Sequence, residues 1–259
     1  MRHIKPYRLY ESLSINNKGI LIPIGGSESK GDSLEHNESI LSEIIKSSKF
    51  GHKSNIIIIP TASSYQTEVD SEYSDSFKKL GCRSIKTLFI TSKEQVDSES
   101  NLELLGGSNI VMFSGGDQSR ISECFLGTKF LEVLKNKFLS EHFVIAGTSA
   151  GAMCMSENMI TGGKEKAKSG NGLCLVPELI IDSHFTERLR HSRLSDAICK
   201  YPDRIGLGLS ENTAVVINGK KFRVIGTGTA TILTPSIVGE LTPNDIDHKV
   251  LYPGDISRF

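Results

Sequence analysis

A serine between very small residues forms the clearest chemical motif of the sequence. The pattern Gly-Thr-Ser-Ala-Gly at residues 147–151 follows an apolar run that predicts a buried strand, and it precedes a predicted helix over residues 150–156. A serine on such a tight strand-to-helix turn is pushed out above the sheet edge, which requires tiny neighbours. The N–H groups that start the helix can stabilise a negative oxygen beside it. The pattern therefore indicates Ser149 as a nucleophile for acyl transfer.

A nucleophilic serine needs a general base, and His184 is the best placed of the seven histidines. It follows the short apolar run of residues 179–181, which predicts a strand that ends beside it. His142 opens the strand that leads to Ser149 and so lies at the wrong end of that strand. The other histidines lie in polar, terminal or charged stretches, which is typical of surface positions.

Two carboxylates could hold this imidazole in place. Asp182 lies two residues before His184 and could share its face of the predicted strand. Glu211 lies between two apolar stretches, where a charge is costly unless it has a partner. Spacing alone leaves the choice between them open. With Glu211 the chain order is serine, histidine, acid, which differs from the order in α/β-hydrolases and disfavours that class.

Arginines follow the candidate base. Arg190 and Arg193 are three positions apart, so they are neighbours on a predicted helix surface. Guanidinium groups bind carboxylates through paired hydrogen bonds, and a cluster of them beside a nucleophile would suit an acidic substrate. The alternative is a solvated helix face on which these arginines pair with Glu187 and Asp196. Without further evidence, the solvated face is the simpler interpretation.

Short apolar runs alternate with amphipathic segments along most of the chain. Strands buried on both faces are predicted at residues 20–24, 55–59, 85–90, 110–113 and 143–146. Helices are predicted between them, at residues 33–47, 73–80 and 129–138. An antiparallel extension is indicated at residues 213–217, 222–225 and 229–233. We therefore predict an α/β fold of three layers, with a doubly wound, mainly parallel sheet and an antiparallel C-terminal extension, in a single domain of residues 1–259.

Small residues collect where four of these strands end. They occupy residues 25–26, 60–63, 114–118 and 147–152. The carboxyl ends of parallel strands meet at one edge of a sheet, where folds of this kind bind their ligands. Glycines there let the backbone turn sharply or approach a ligand closely. The four strand ends together predict a binding site at that edge.

The composition disfavours several other classes of protein. Lysine plus arginine equals aspartate plus glutamate at 30 each, so long-range attraction to nucleic acid or to an anionic membrane is not expected. No apolar run approaches the ~20 residues of a membrane span, and the polar segment of residues 1–17 does not resemble a signal peptide. The five cysteines lack a metal-binding or redox spacing, so reduced thiols and a cytoplasmic location fit best.

Taken together, these segments resemble the ordered motif set of the cyanophycinases. These enzymes are relatives of aspartyl dipeptidase, and their fold is similar to that of class I glutamine amidotransferases. The matching segments are residues 60–63, 114–118, 147–152, 182–193 and 211–213. Each motif is modest alone, but five of them in the right order are specific, and they extend over nearly the whole chain.

The resemblance implies a hydrolase that cuts the aspartate backbone of cyanophycin, a polymer with arginine on each β-carboxyl, and releases β-aspartyl-arginine dipeptides. It implies Ser149 as nucleophile, His184 as base and Glu211 as the orienting acid. The oxyanion hole would use N–H groups near Gly116 and Ala150. The substrate pocket would contain Gln118, Asp182, Ser183, Arg188, Arg190 and Arg193. No cofactor and no metal are expected, and members of the family are typically homodimers.

The chemistry of this substrate agrees with the basic residues. Each arginine of the polymer keeps a free α-carboxylate, to which an arginine-rich pocket is complementary. Two positions depart from the family's pattern, since Ser183 stands where glutamine is common and Ser210 where aspartate is common. Both lie close to substrate-binding positions. A related peptidase that cuts aspartyl or isoaspartyl peptides is therefore an alternative.

Two further classes compete with a serine peptidase. A non-catalytic relative could bind a nucleotide or an effector at the glycine-rich strand ends, although the sequence lacks the phosphate-loop and dinucleotide-binding patterns. An amidotransferase-like glutaminase would need a cysteine at position 149, whereas Cys154 lies too late in the chain. Fluorophosphonate labelling that is lost in Ser149→Ala would indicate an activated serine and argue against a non-catalytic relative, whereas turnover of glutamine would favour the glutaminase.

Overall fold

The computed structural model describes residues 18–29 and 39–259. The strands, in chain order, are β1 Ile20–Ile24, β2 Asn55–Ile59, β3 Ser84–Thr87, β4 Ile110–Phe113, β5 Val144–Thr148, β6 Asn158–Gly162, β7 Lys168–Asn171, β8 Leu179–Asp182, β9 Ile205–Leu209, β10 Thr213–Asn218, β11 Lys221–Gly226, β12 Ala230–Pro235, β13 Ile246–Leu251 and β14 Ile256–Arg258. The helices are α1 Ile40–Ser47, α2 Gln66–Lys79, α3 Lys93–Val96, α4 Glu99–Gly107, α5 Gln118–Phe125, α6 Lys129–Ser140, α7 Ala150–Met153 and α8 His191–Lys200. Strands and helices alternate as far as β5, as a parallel sheet covered by helices requires.

The larger sheet has eight strands in the order β14, β11, β10, β1, β5, β4, β2, β3. The strands from β1 to β3 in this order pair in parallel, while β10, β11 and β14 add an antiparallel side. β1 is therefore the strand at which the parallel half meets the antiparallel half. Its residues are buried on both faces, with Leu21 in one apolar layer and Ile22 in the other. Burying a side chain of this size stabilises the fold by about 1.5–3 kcal/mol.

A second sheet of four strands has the order β13, β12, β9, β8. Within it β8 and β9 are parallel, so their carboxyl ends lie at the same edge, with Asp182 paired to Gly208. The residues that follow these two strands are therefore brought together. β6 and β7 form a separate antiparallel hairpin.

Polar side chains cap the helices that flank the larger sheet. The hydroxyl of Ser39 accepts a hydrogen bond from Ser42 N at 3.1 Å at the start of α1. At the start of α5, Asp117 Oδ1 accepts one from Ser119 N at 2.8 Å. α6 begins in the same way at Thr128. The apolar face of α1 packs on the sheet through Ile40, Leu41, Ile44 and Ile45.

The predicted fold class is confirmed, with several differences in detail. The run at residues 229–233 is part of β12 and joins the smaller sheet instead of extending the larger one. α2 begins well before the predicted residue 73, and α7 is a single turn instead of a helix over residues 150–156. α1 occupies residues 40–47 of the helix predicted over residues 33–47. Residues 33–38 of that prediction, like residues 1–17, lie outside the described residues.

Two further properties concern the described part of the chain. None of its helices combines the length and the apolar character that crossing a membrane requires. All five cysteines fall within this part and have free thiols, of which Cys82, Cys124 and Cys154 are buried.

Candidate active site

Ser149 lies on the tight turn between β5 and α7. Its backbone has φ 50° and ψ −107°, a left-handed conformation that costs a residue other than glycine about 1–3 kcal/mol. The N–H of Ser149 donates a hydrogen bond to Ile24 O at 2.9 Å, which ties the turn to β1. A Cβ at Gly147 would come within 2.4 Å of Gly151 O, so the turn closes only with glycine at that position. The small residues of the motif thus have a steric cause.

The hydroxyl of Ser149 contacts an imidazole that is held by a carboxylate. Ser149 Oγ lies 2.9 Å from His184 Nε2, and His184 Nδ1 lies 2.6 Å from Glu211 Oε1. A carboxylate only accepts hydrogen bonds, so Nδ1 carries a hydrogen and a neutral ring leaves Nε2 free to accept from the serine. The hydrogen bond from His184 keeps the pKa of Glu211 below its ordinary value. The structure thus brings Glu211 to the imidazole, whereas Asp182 points elsewhere.

The parallel pairing of β8 and β9 explains this meeting of histidine and glutamate. His184 comes two residues after the end of β8 and Glu211 two residues after the end of β9. The segments that follow β8 and β9 are both anchored to the loop after β1, since His184 N donates to Gly25 O at 2.7 Å and Asn212 N donates to Gly26 O at 2.8 Å. The loop after β1 therefore connects the serine of the larger sheet to the other two residues.

A cavity of about 880 Å³ opens over Ser149 and His184. The loop after β1 lines one side, from Gly26 to Ser29, and α2 lines another through residues that include Glu72, Asp75 and Lys79. Gly115, Gly116, Thr148 and Arg188 complete the wall near Ser149. Among the described residues, no group of three or more histidine, cysteine, aspartate or glutamate side chains is arranged to hold a metal ion.

Asp182 binds two of the predicted arginines. Its carboxylate is fully buried and accepts hydrogen bonds from Arg193 Nε at 2.6 Å, from Arg193 Nη2, and from Arg190 Nη1 at 3.2 Å. Burial raises the pKa of Asp182, and the hydrogen bonds and charges of the two arginines oppose that rise. Arg193 is itself buried, and neither arginine lines the cavity. The simple picture of a solvated arginine face is therefore wrong for Arg193.

The remaining predicted substrate residues have different surroundings. Ser183 is buried, and its Oγ lies 3.4 Å from Ser149 Oγ. Gln118 Nε2 donates to Ile160 O at 2.7 Å, so this end of its side chain is engaged with β6. Arg188 is exposed and is the only one of the three predicted arginines that lines the cavity. Ser210 packs against another hydroxyl, with 2.7 Å between its Oγ and Thr186 Oγ1.

Sequence reasoning missed one polar cluster in the cavity wall. Glu28 is buried, and its carboxylate accepts hydrogen bonds from the hydroxyls of Tyr73 and Thr148. These residues are far apart in the chain and match no motif. The glycine pair after β1 was the only signal in the sequence that this loop approaches the site.

Comparison with known proteins identifies the family. Residues 21–225 match the model of peptidase family S51, and the chain belongs to this family of hydrolases. A cyanophycinase from Trichormus variabilis is 32% identical over 243 residues, covering 89% of this chain and 78% of the relative. One from Geminocystis herdmanii is 31% identical over 221 residues, covering 82% and 79%. The predicted resemblance is thus confirmed, and the chain is a peptidase.

A solved structure supports the same fold. The crystal structure of a peptidase from an acI-B1 Actinobacterium matches this one with a TM-score of 0.72 at 22% identity, covering 94% of this chain and 99% of that one.

Proposed function

We propose that this chain is a serine peptidase of the cyanophycinase type, which cuts the polymer backbone through an acyl-enzyme on Ser149 and releases β-aspartyl-arginine dipeptides. One observation carries the proposal. Ser149 Oγ, which lines an open cavity, lies 2.9 Å from His184 Nε2, and His184 Nδ1 in turn lies 2.6 Å from Glu211 Oε1. This is the geometry that an activated serine needs.

The proposed mechanism has two half-reactions. His184 Nε2 takes the proton of Ser149 as Oγ attacks the scissile carbonyl, and then delivers it to the leaving nitrogen as the C–N bond breaks. A water then attacks the ester on Ser149, giving a proton to His184 that returns to Oγ as the acid product leaves. Glu211 accepts from His184 Nδ1 throughout and stabilises the imidazolium that forms in each half-reaction. Its lowered pKa keeps it ionised for this role at neutral pH.

We assign the oxyanion hole to the N–H groups of Gly116 and Ala150. Neither group donates a hydrogen bond to another residue within residues 18–29 and 39–259. Ala150 directly follows Ser149. Gly116 belongs to the turn after β4, which lies close to Ser149, since a Cβ at Gly115 would be 3.5 Å from Ser149 Cβ. These two N–H groups are free to donate hydrogen bonds that stabilise the oxyanion of a tetrahedral intermediate.

The proposed substrate carries a free α-carboxylate and a guanidinium on every branch. Arg188 is the exposed basic group of the cavity closest in sequence to His184, and we assign it the carboxylate. Arg190 and Arg193 would act through Asp182, holding the segment that leads to His184. From the family resemblance and the cysteine content we further propose a homodimer in the cytoplasm.

An alternative substrate is favoured by one observation. Ser183 and Ser210 replace larger polar residues of the family's pattern at positions around the base. A related peptidase that cuts short aspartyl or isoaspartyl peptides would share the mechanism and differ in the pocket. A cysteine-dependent glutaminase is disfavoured, because Cys154 is fully buried and burial raises the pKa of its thiol far above the ordinary value.

The test is a substrate panel of cyanophycin, isoaspartyl dipeptides and α-aspartyl dipeptides, combined with fluorophosphonate labelling. We expect the wild-type protein to clear a cyanophycin suspension and to be labelled, and Ser149→Ala to lose both. Cys154→Ala is the matched control and should keep both. Labelling that survives in Ser149→Ala would refute the serine mechanism, whereas labelling without cleavage of cyanophycin would refute only the substrate.

A further inference from the structure

A buried carboxylate beside the nucleophile has no part in the mechanism described above. Glu28 follows β1, is 6% exposed and lines the cavity that contains Ser149. Its Oε2 accepts a hydrogen bond from Thr148 Oγ1 at 2.6 Å, and its Oε1 accepts one from the hydroxyl of Tyr73. The carboxylate thus links three parts of the chain: the loop after β1, the end of β5, and α2.

The burial of Glu28 requires its carboxylate to be hydrogen-bonded. A carboxylate out of water is costly unless its oxygens are satisfied, and here both oxygens accept from hydroxyls, as an ionised carboxylate can. Tyr73 is also buried, at 1% exposure. Burial, followed by the charge of Glu28, raises the pKa of Tyr73 well above its ordinary value, so its hydroxyl keeps the hydrogen that it donates. The two hydroxyls and the carboxylate therefore have a fixed arrangement of donors and acceptors.

The link ends at the residue directly before the nucleophile. Ser149 has a left-handed backbone, and such a conformation persists only where the surroundings hold it. The bond from Ser149 N to Ile24 O supplies one restraint on the backbone. The hydrogen bond from Thr148 to Glu28 supplies a second restraint, one residue earlier and through a side chain.

We propose that Glu28 is a positioning residue, which acts through Thr148 and with Tyr73 to fix where Ser149 Oγ meets His184 Nε2. This inference rests on the proposed role of Ser149 as nucleophile. A displacement of a reacting atom by about 1 Å can lower the rate ~100-fold. The consequence should therefore appear in the chemical step and leave substrate binding unchanged.

Three variants test the inference, with kcat and KM measured on the substrate that the wild-type protein cleaves best. Thr148→Val keeps the shape but removes the donor, and Glu28→Gln replaces one acceptor by an amide N–H. We expect both to lower kcat by about 10-fold or more while KM changes by less than about 2-fold. Thr148→Ser restores the hydroxyl and should recover kcat to within about 3-fold of wild type.

A matched control separates positioning from loss of stability. Thr128 is a buried threonine that caps α6, where Oγ1 donates to Phe125 O at 2.7 Å, away from the cavity. Thr128→Val should lower the melting temperature while kcat stays at the wild-type value. The double variant of Glu28→Gln with Thr148→Val should lose no more than about the larger single effect, because both changes break one link.

Each outcome decides the inference. A raised KM with unchanged kcat would mean that Glu28 contacts substrate, and unchanged kcat in Thr148→Val would mean that the link does not hold the nucleophile. Either result overturns the proposal. Failure of the proposed function looks different, since Ser149→Ala would then keep its activity and its fluorophosphonate labelling.

Discussion

The imidazole of His184 rests directly on the backbone of Gly26. A Cβ at Gly26 would lie 2.4 Å from His184 Cε1 and 2.6 Å from Nε2, the nitrogen that faces Ser149. Gly26 also has a φ of 108°, which only glycine adopts readily. The position of the ring therefore depends on the absence of a side chain in a loop that contributes no reacting group.

Gly26→Ala should displace the imidazole and lower kcat by about 100-fold or more, because a proton-transfer contact tolerates little misplacement. The measurement is kcat, with the fold checked by circular dichroism. Gly254→Ala is the matched control, since Gly254 has a φ of 94° and nothing lies within 4 Å of the added Cβ. This control pays a similar backbone strain and should keep its activity. Wild-type kcat in Gly26→Ala would contradict the steric argument.

Glu211→Gln should lower kcat by about 10²–10⁴-fold, because an amide can favour the wrong imidazole tautomer and does not stabilise an imidazolium. A second readout is the melting temperature against pH. The folded-state pKa of Glu211 is lowered, so the stability that its charge contributes is present above the ordinary carboxyl range and is lost as pH falls below it. The difference in melting temperature between wild type and variant should therefore shrink below about pH 4. A difference that grows on acidification would contradict this sign.

Arg188→Ala should raise KM for a substrate with free carboxylates by about 2- to 5-fold, which is the size of a solvent-exposed ion pair. kcat should hardly change, because the exposed guanidinium of Arg188 is assigned to binding the substrate carboxylate and not to the reacting atoms. The effect should weaken as salt is added. Arg83→Ala removes an exposed arginine outside the cavity and is the control. An unchanged KM for Arg188→Ala at low salt would exclude this role.

Arg193→Gln should destabilise the protein by about 3–5 kcal/mol, because it leaves the buried carboxylate of Asp182 without its main partner. Arg223→Gln breaks a more exposed pair with Glu43 and should cost less than about 1 kcal/mol. Denaturant unfolding measures both.

The pH dependence of the Arg193 variant has a definite sign. Removing the guanidinium raises the folded-state pKa of Asp182 further, while its unfolded value is unchanged. The added destabilisation is therefore full at high pH and diminishes as pH falls and the carboxyl takes up a proton. Equal losses at neutral pH and below the ordinary carboxyl range, about pH 4, would show that the charge of Asp182 is not the cause.

The sequence predicted most of the fold because the central strands of the larger sheet are buried on both faces. Residues 20–24, 55–59 and 110–113 are almost entirely apolar, and each forms a strand with the predicted bounds. The run at residues 229–233 is also strand-like, yet it pairs with β9 in the smaller sheet. Alternation of side chains does not specify which sheet a strand joins, since that depends on contacts distant in the chain.

The residues of the candidate site likewise differ in whether a local pattern predicts them. Ser149 and His184 were found because each follows a recognisable strand, but spacing left Asp182 and Glu211 equally acceptable as the acid. The geometry distinguishes them through the pairing of β8 with β9 and through the two arginines that occupy Asp182. Glu28 and Tyr73 were beyond prediction, because a buried polar contact between residues 45 positions apart leaves no local pattern.

Ser149 follows a strand of the larger sheet, while His184 follows a strand of the smaller one. The proposed proton transfer from Ser149 to His184 therefore depends on the relative position of the two sheets. The turnover rate should accordingly be sensitive to small changes in that position. A solvent or temperature that shifts one sheet relative to the other by about 1 Å should abolish activity while nearly all of the secondary structure is still intact.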